Sequence, residues 1–416
     1  MITISLENGS ATDQVGPQRF LSPREVLAGP GSIAGLGDLL HKWVAPTGRV
    51  LLVCDAIVSK LGFSGEVQSA LVQCGWDSTV FDSVAGEPDR TVSEAVSKVA
   101  RAGEYSAVIG LGGGSAMDLA KIAAALATHS GDVDSIVGVD QLSATPLPLI
   151  LIPTTAGTGS EATRIAMVSL EGRKKVINDA RLVPVAAVLD ATLVRSAPPA
   201  VTATTGMDAL CHAIEGALST EASTLSTNAA NEAVSLLARW LPAAFLDGDD
   251  IDARQGTMYA AYLAGLALNA GSVLGHSMGY TIAHRTGLPH GATVAMALPF
   301  CLAYCADGSE ERIADMWARV SDFDDAATDI YDWIARLMRS FGMATNLSGL
   351  GLSEQDALEM ADECVTKYPR PNNPVPLERE RVSKLYLHLV TGDIDACLAD
   401  FAASHAELAI NQRTSK

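Results

Sequence analysis

The sequence is poor in the features that mark several large classes of protein. Its seven cysteines, Cys54, Cys74, Cys211, Cys301, Cys305, Cys364 and Cys397, are an odd number in 416 residues and include no Cys-x-x-Cys pair. That pattern argues against a disulfide scaffold and for reduced, mostly buried thiols. Basic residues are scarce: 29 Lys and Arg against 48 Asp and Glu give a formal net charge of −19. A phosphate polymer would meet net repulsion, which excludes a general nucleic-acid groove and leaves room only for a local positive pocket. No uninterrupted apolar run reaches the ~18 residues of a membrane span, and the opening MITISLENGSATDQ has no basic segment leading into an apolar one. A cytoplasmic enzyme without membrane contact is expected. Internal repeats, low-complexity tracts and long charge runs are absent too, and the polar tail INQRTSK is expected to fray.

What is present is a chain 48% hydrophobic and long enough for two domains with sizeable cores. In its first half, short β-branched runs alternate with helical stretches: VLLVCD (50–55), YSAVIGLGGG (105–114), PLILIPTT (148–155) and VAAVLD (185–190). Near-continuous apolar strands separated by helices predict a parallel sheet covered on both faces. After Ala197-Pro198-Pro199 the strand signal stops, and Ala/Leu-rich helical periodicity follows around 221–241 and 257–271. The expected organisation is an α/β domain over 1–197 and a helical domain over 198–416.

Two loops in the first half have the chemistry of a phosphate cradle. Gly112-Gly113-Gly114-Ser115 follows the strand AVIGL and precedes the helical run AMDLAKIAAALA, so backbone N–H groups can point at an anion. Tight strand-to-helix turns also use Gly for conformational reasons alone. The segment Thr154-Thr155-Ala156-Gly157-Thr158-Gly159-Ser160-Glu161 follows the apolar LILIP, with hydroxyls suited to phosphate or ribose. Asp55 ends VLLVCD, where a carboxylate accepts from a ribose diol and repels a 2′-phosphate, favouring NAD over NADP; a helix cap is its plainer role.

The second half carries a metal-ligand pattern. In GMDALCHAIEG, Asp208 and His212 stand four apart, on one face of a helix. His276 in LGHSMGY and His290 in the turn GLPHGATV add two imidazoles. One carboxylate and three imidazoles form a mixed hard and borderline set suited to Fe(II), Zn(II) or a similar ion, with positions left for a substrate oxygen. His41, His129, His388 and His405 lie in unrelated contexts and are given no function. Tyr280 and His284 follow His276 at four-residue steps, and on a helix they form a stripe leading from the metal site, a route for a proton.

The order of motifs, GGGS followed by Asp118 and Lys121, then PTTAGTGSE, DALCHAIEG, GH and LPHG, resembles the iron-containing (group III) alcohol dehydrogenases over roughly residues 24–300. The resemblance implies a Rossmann-like dinucleotide-binding domain, an all-α metal-binding domain, and an active site in the cleft between them. It implies metal ligation by Asp208, His212, His276 and His290. It implies cofactor contacts from Asp55, Gly113, Gly114, Ser115, Asp118, Thr154, Thr155, Thr158 and Lys174, with Glu87-Pro88 matching a family loop. It further implies a small alcohol, aldehyde or ketone as substrate and a homodimer or higher homo-oligomer. Tyr280 departs from the pattern, standing where many members have a second histidine. A metal-independent reductase like the maleylacetate reductases and a cyclising lyase of the dehydroquinate synthase type are the alternatives on the same architecture. The latter matches Asp-x-x-x-His and GTGSE less well. A non-catalytic binding protein would have no need of both loops and all four ligands.

Overall fold

The computed structural model describes residues 18–84 and 86–402; the opening segment and the tail INQRTSK lie outside the described residues. Nine strands are present among them: β1 (Glu25–Ala28), β2 (Arg49–Asp55), β3 (Asp77–Val84), β4 (Ala107–Gly112), β5 (Gly138–Val139), β6 (Leu149–Pro153), β7 (Ile165–Leu170), β8 (Arg173–Asn178) and β9 (Ala186–Leu189). Six form a sheet in the order β1-β9-β6-β4-β2-β3, every pair parallel. The other three, β5-β8-β7, form a small mixed sheet.

The four strands expected from the sequence are the four middle strands of the large sheet, where side chains on both faces are covered. Alternation divides them between two cores. Val50, Leu52, Cys54, Ile109, Leu111, Ile150 and Ile152 pack on one side of the sheet, and Leu51, Val53, Val108, Leu149 and Leu151 on the other. From β2 the chain first adds β3 on one side and then crosses to β4 on the other, so the strand order reverses between β2 and β4. In open α/β sheets such a reversal opens a crevice at the carboxyl ends of the strands, and ligands bind there.

Strands end at Leu189, and every regular element from Pro199 onward among the described residues is helical. The change in secondary structure therefore falls where the composition changes. Compactness divides the chain differently: one unit runs Leu21–Leu210 and regains Leu236–Asn269, and the other holds Cys211–Ser235 and, among the described residues, 270–402. The return of Leu236–Asn269 to the sheet unit has a local cause. Gly159 and Gly265, on the helix Ile251–Leu268, approach so closely that a Cβ at 159 would stand 2.5 Å from the Gly265 Cα. Gln255 on the same helix donates to the Leu189 carbonyl at 3.1 Å and accepts from the Ala191 amide at 3.2 Å.

In the helical unit, Leu274–Thr286 packs against His290–Cys305 and Glu354–Lys367. All seven cysteines are thiols outside any disulfide. No helix among the described residues is long and apolar enough to cross a membrane.

Candidate active site

Three features meet at the carboxyl ends of β2, β4 and β6. Asp55 caps the short helix Ala56–Lys60, its Oδ1 accepting from the amides of Ile57 at 2.9 Å and Val58 at 2.8 Å. Its Oδ2 turns toward the glycine loop, 3.1 Å from where a Cβ on Gly112 would stand. Gly112 has φ +150°, and its missing side chain also clears the Ala116 Cβ. The helix Gly114–Thr128 begins at Gly113 without a side-chain cap, so the positive end of its dipole faces the loop. Thr154 donates its amide to the Gly112 carbonyl at 3.0 Å, which joins the two loops side by side. Gly114 makes room for Thr158, whose Cγ2 lies 2.7 Å from the position a Cβ would take. Gly113, Gly114, Ser115, Thr154, Thr155 and Thr158 are all half-buried. They form a rim of amides and hydroxyls at the reversal point of the sheet.

Below this rim lies a buried polar framework. Lys121 is fully buried and donates from Nζ to the carbonyls of Ser160 (2.7 Å), Thr163 (2.9 Å) and Ile165 (2.6 Å) and to Thr163 Oγ1 (3.0 Å). Asp118, one turn earlier, turns both oxygens inward: Oδ1 accepts from Ser160 Oγ at 2.7 Å and Oδ2 from the Met167 amide at 3.0 Å. The pair thus clamps the second loop to the helix that follows the first. Burial pushes the Asp118 carboxyl up, against the pull of the Lys121 charge, and pushes Lys121 down to about 8. Glu161, which ends the motif, is buried as well; its Oε2 has no hydrogen-bond partner among the described residues, and burial pushes it up to about 7. Lys174 on β8 reaches Glu87 Oε2 at 3.4 Å, which brings the GEPD loop to that strand.

The metal-ligand candidates stand on three helices. Pro199–Leu218 carries Asp208 and His212 one turn apart, both buried. Leu274–Thr286 carries buried His276, and half-buried His290 opens His290–Cys305 just after Pro289. Asp208, His276 and His290 each bring one ligand atom to within 4.8 Å of one another. His212 falls outside that group of converging atoms; its ring stacks on His276 with centroids 4.7 Å apart. A carboxylate oxygen and two imidazole nitrogens are hard and borderline donors of the kind first-row divalent cations take, so the residues present fit such an ion.

Three residues around these ligands escaped the sequence reading. Glu215, fully buried on the helix of Asp208, faces His276: Oε1 lies 2.7 Å from Nδ1, and Oε2 accepts from the amides of Val273 (2.8 Å) and His276 (3.2 Å). Burial pushes Glu215 up to about 8, against the pull of the Arg370 charge. Its signal in the sequence was a lone carboxylate in the apolar run AIEGAL. Tyr280 stacks on His290 with centroids 5.2 Å apart and packs against Tyr368 at 5.3 Å, and Arg370 lies 5.8 Å over its ring. Tyr368 and Arg370 sit in an irregular stretch that has no periodicity to announce it. His284, one turn beyond Tyr280, is exposed.

Comparison with known proteins gives a consistent picture. The family model described as iron-containing alcohol dehydrogenase matches residues 23–191, and that of the Fe-containing alcohol dehydrogenase family, C-terminal, matches 202–390. A long-chain-alcohol dehydrogenase of Geobacillus thermodenitrificans is 35% identical over 358 residues, covering 83% of this chain and 90% of its own. An NAD-dependent methanol dehydrogenase of Bacillus methanolicus is 31% identical, covering 84% and 95%. Among solved structures, a 1,3-propanediol oxidoreductase superposes with a TM-score of 0.84 at 29% identity, covering 90% of this chain and all of its own.

Proposed function

Because this chain belongs to the iron-containing alcohol dehydrogenase family, we propose that it moves hydride between NAD(H) and a small alcohol, aldehyde or ketone, with one divalent ion, Fe(II) or Zn(II), at the convergence of Asp208, His276 and His290. That convergence, within 4.8 Å, is the observation that carries the reading. His212, whose ring stacks on His276, would be the fourth ligand. When bound, the ion supplies Lewis acidity toward the substrate oxygen, and the nicotinamide supplies the hydride acceptor.

The remaining work falls to the chain's own groups. Amides of Gly113, Gly114 and Ser115, at the start of an uncapped helix, hold the pyrophosphate, with the hydroxyls of Thr154, Thr155 and Thr158 beside them. Asp118 and Lys121 fix the second loop from beneath. Asp55 receives the ribose diol and disfavours a 2′-phosphate, which selects NAD. Lys174, held near the GEPD loop, adds a cation toward the cofactor. Tyr280 passes the alcohol proton outward to exposed His284 and water. In this reading residues 1–197 hold the nucleotide, 198–416 hold metal and substrate, and the reduced thiols accord with the cytoplasm. A homo-oligomer is part of the same proposal.

The test is a panel of short alcohols with NAD and of aldehydes with NADH, run on protein loaded with Fe(II) or Zn(II) and followed by nicotinamide absorbance. Turnover should vanish on chelation and return with metal. Undiminished turnover in chelated protein would overturn the role of the ion, and absence of both turnover and NADH binding would overturn the whole reading.

A further inference from the structure

Glu215 has no part in the ligand set, yet it is the residue most closely engaged with it. It stands three residues after His212 and seven after Asp208, so the three share one face of the helix Pro199–Leu218. Its carboxyl is fully buried, and its three hydrogen bonds among the described residues go to the short segment Val273–His276. The two bonds at Oε2 come from backbone amides, which can only donate. Oε1 meets His276 Nδ1 at 2.7 Å; with the carboxyl ionised, as a neighbouring cation favours, Oε1 can only accept, so the ring proton sits on Nδ1 and Nε2 is left to face the cation. Gly275 is required by this arrangement, since a Cβ there would stand 2.6 Å from Oε1.

We infer that Glu215 is a positioning residue for the metal centre: it holds His276 with the proton on Nδ1, so that Nε2 is presented to the ion alongside Asp208 and His290. The inference rests on the metal reading above. A buried carboxylate behind a ligating imidazole fixes both tautomer and ring orientation, and losing such a partner typically costs roughly 10- to 100-fold in metal affinity. The same helix therefore carries one ligand, Asp208, and the group that aims another, so its register sets two donors at once.

The isosteric Glu215→Gln substitution separates this role from simple structural support. The amides of Val273 and His276 demand an oxygen at their end, so the Gln oxygen takes that position and its NH2 faces Nδ1. An NH2 donates, which forces the proton of His276 onto Nε2 and blocks ligation, while the 273–276 segment keeps its hydrogen bonds. Zn(II) affinity by competition with a chromophoric chelator should fall about 10- to 100-fold in Glu215→Gln, with helical circular dichroism and metal-free melting temperature close to the parent's. Gly275→Ala, which crowds Oε1 and leaves the carboxyl in place, should weaken Zn(II) in the same direction. Independently of any variant, 15N NMR of the Zn(II)-loaded parent, with His276 assigned by its loss in His276→Ala, should show a protonated Nδ1 and a metal-shifted Nε2. Parent-like Zn(II) affinity in Glu215→Gln, or Zn(II) on Nδ1 in the parent, overturns the inference. If the parent itself holds no Zn(II) or Fe(II), it is the metal reading that fails.

Discussion

The nucleotide loops and the metal centre are built in opposite ways. The loops are made of backbone: Gly112, Gly114 and Gly159 matter for the side chains they lack, because Ala116, Thr158 and Gly265 occupy the space a Cβ would need. The metal centre is made of side chains whose sequence positions run from Asp208 to His290, with His276 met by the carboxyl of Glu215 and His290 by the ring of Tyr280. A site of the first kind is damaged by adding atoms and a site of the second kind by removing them.

The largest effect should come from removal. Asp208→Ala or His276→Ala should lower metal occupancy and turnover together, by more than the roughly 100-fold that loss of an outer partner costs. Full turnover in a metal-depleted variant would sink the metal mechanism. Addition comes next. Gly112→Ala places a methyl at φ +150° against Ala116 and Asp55; the loop relieves this by shifting, and restoring it for the cofactor costs on the order of 1–3 kcal/mol, so NADH should bind about 5- to 150-fold more weakly with metal content unchanged. Fluorescence titration with NADH and metal analysis of the same sample check both halves. If metal content falls as well, the two constructions are not separable.

Asp55→Gly sharpens the comparison from the side-chain end of the backbone site. Removing the charge should raise the use of NADP(H) relative to NAD(H), read as the ratio of kcat/KM values. An unchanged ratio would leave Asp55 as a helix cap only. The fourth prediction concerns Tyr280 and His284. Tyr280→Phe should keep metal and cofactor bound yet slow alcohol oxidation several-fold, most visibly near and below neutral pH. If neither it nor His284→Ala alters the pH–rate profile, the proton leaves elsewhere.

The smallest effect is on stability. Glu161 has a folded pKa of about 7 against an ordinary value of 4.5, so the folded state binds the extra proton between those values. Its ionisation therefore costs stability that is absent at low pH and fully present above about 7. Glu161→Gln escapes that cost. Relative to the parent, its unfolding free energy should rise as pH goes from 5 toward 7.5, the difference reaching on the order of 2 kcal/mol by denaturant titration. A difference that stays flat across this range would mean Glu161 is neutralised by a partner in solution.

Legibility followed the same division. The strands β2, β4, β6 and β9 were readable because they are covered on both faces and read as unbroken apolar runs. β3, at one edge of the sheet, is half-buried or exposed at every residue but its last, and β8, RKKVIN, is largely solvated, so neither has that pattern. Glycine loops between strand and helix are local and were visible as motifs. The clamp of Lys121 on residues 160–165 was not, because its partners are carbonyls some forty residues away that leave no mark on sequence. Asp118 was expected at the cofactor, and its two oxygens are taken by Ser160 and Met167. In the metal centre the ligand types gave themselves away, while His212 lies outside the converging group and Glu215 and Arg370 depend on tertiary packing alone.

The contact between Gly159 and Gly265 also fixes an order of events during synthesis. The second nucleotide loop is translated well before the helix Ile251–Leu268 that backs it, roughly 5–20 s earlier at ribosomal rates. In the later part of that interval, once β9 is made, the large sheet can assemble, but the loop at its rim waits without its backing. A nascent chain arrested between residues 200 and 250 should therefore bind NADH poorly even with its sheet formed, and acquire affinity only once the helix has emerged.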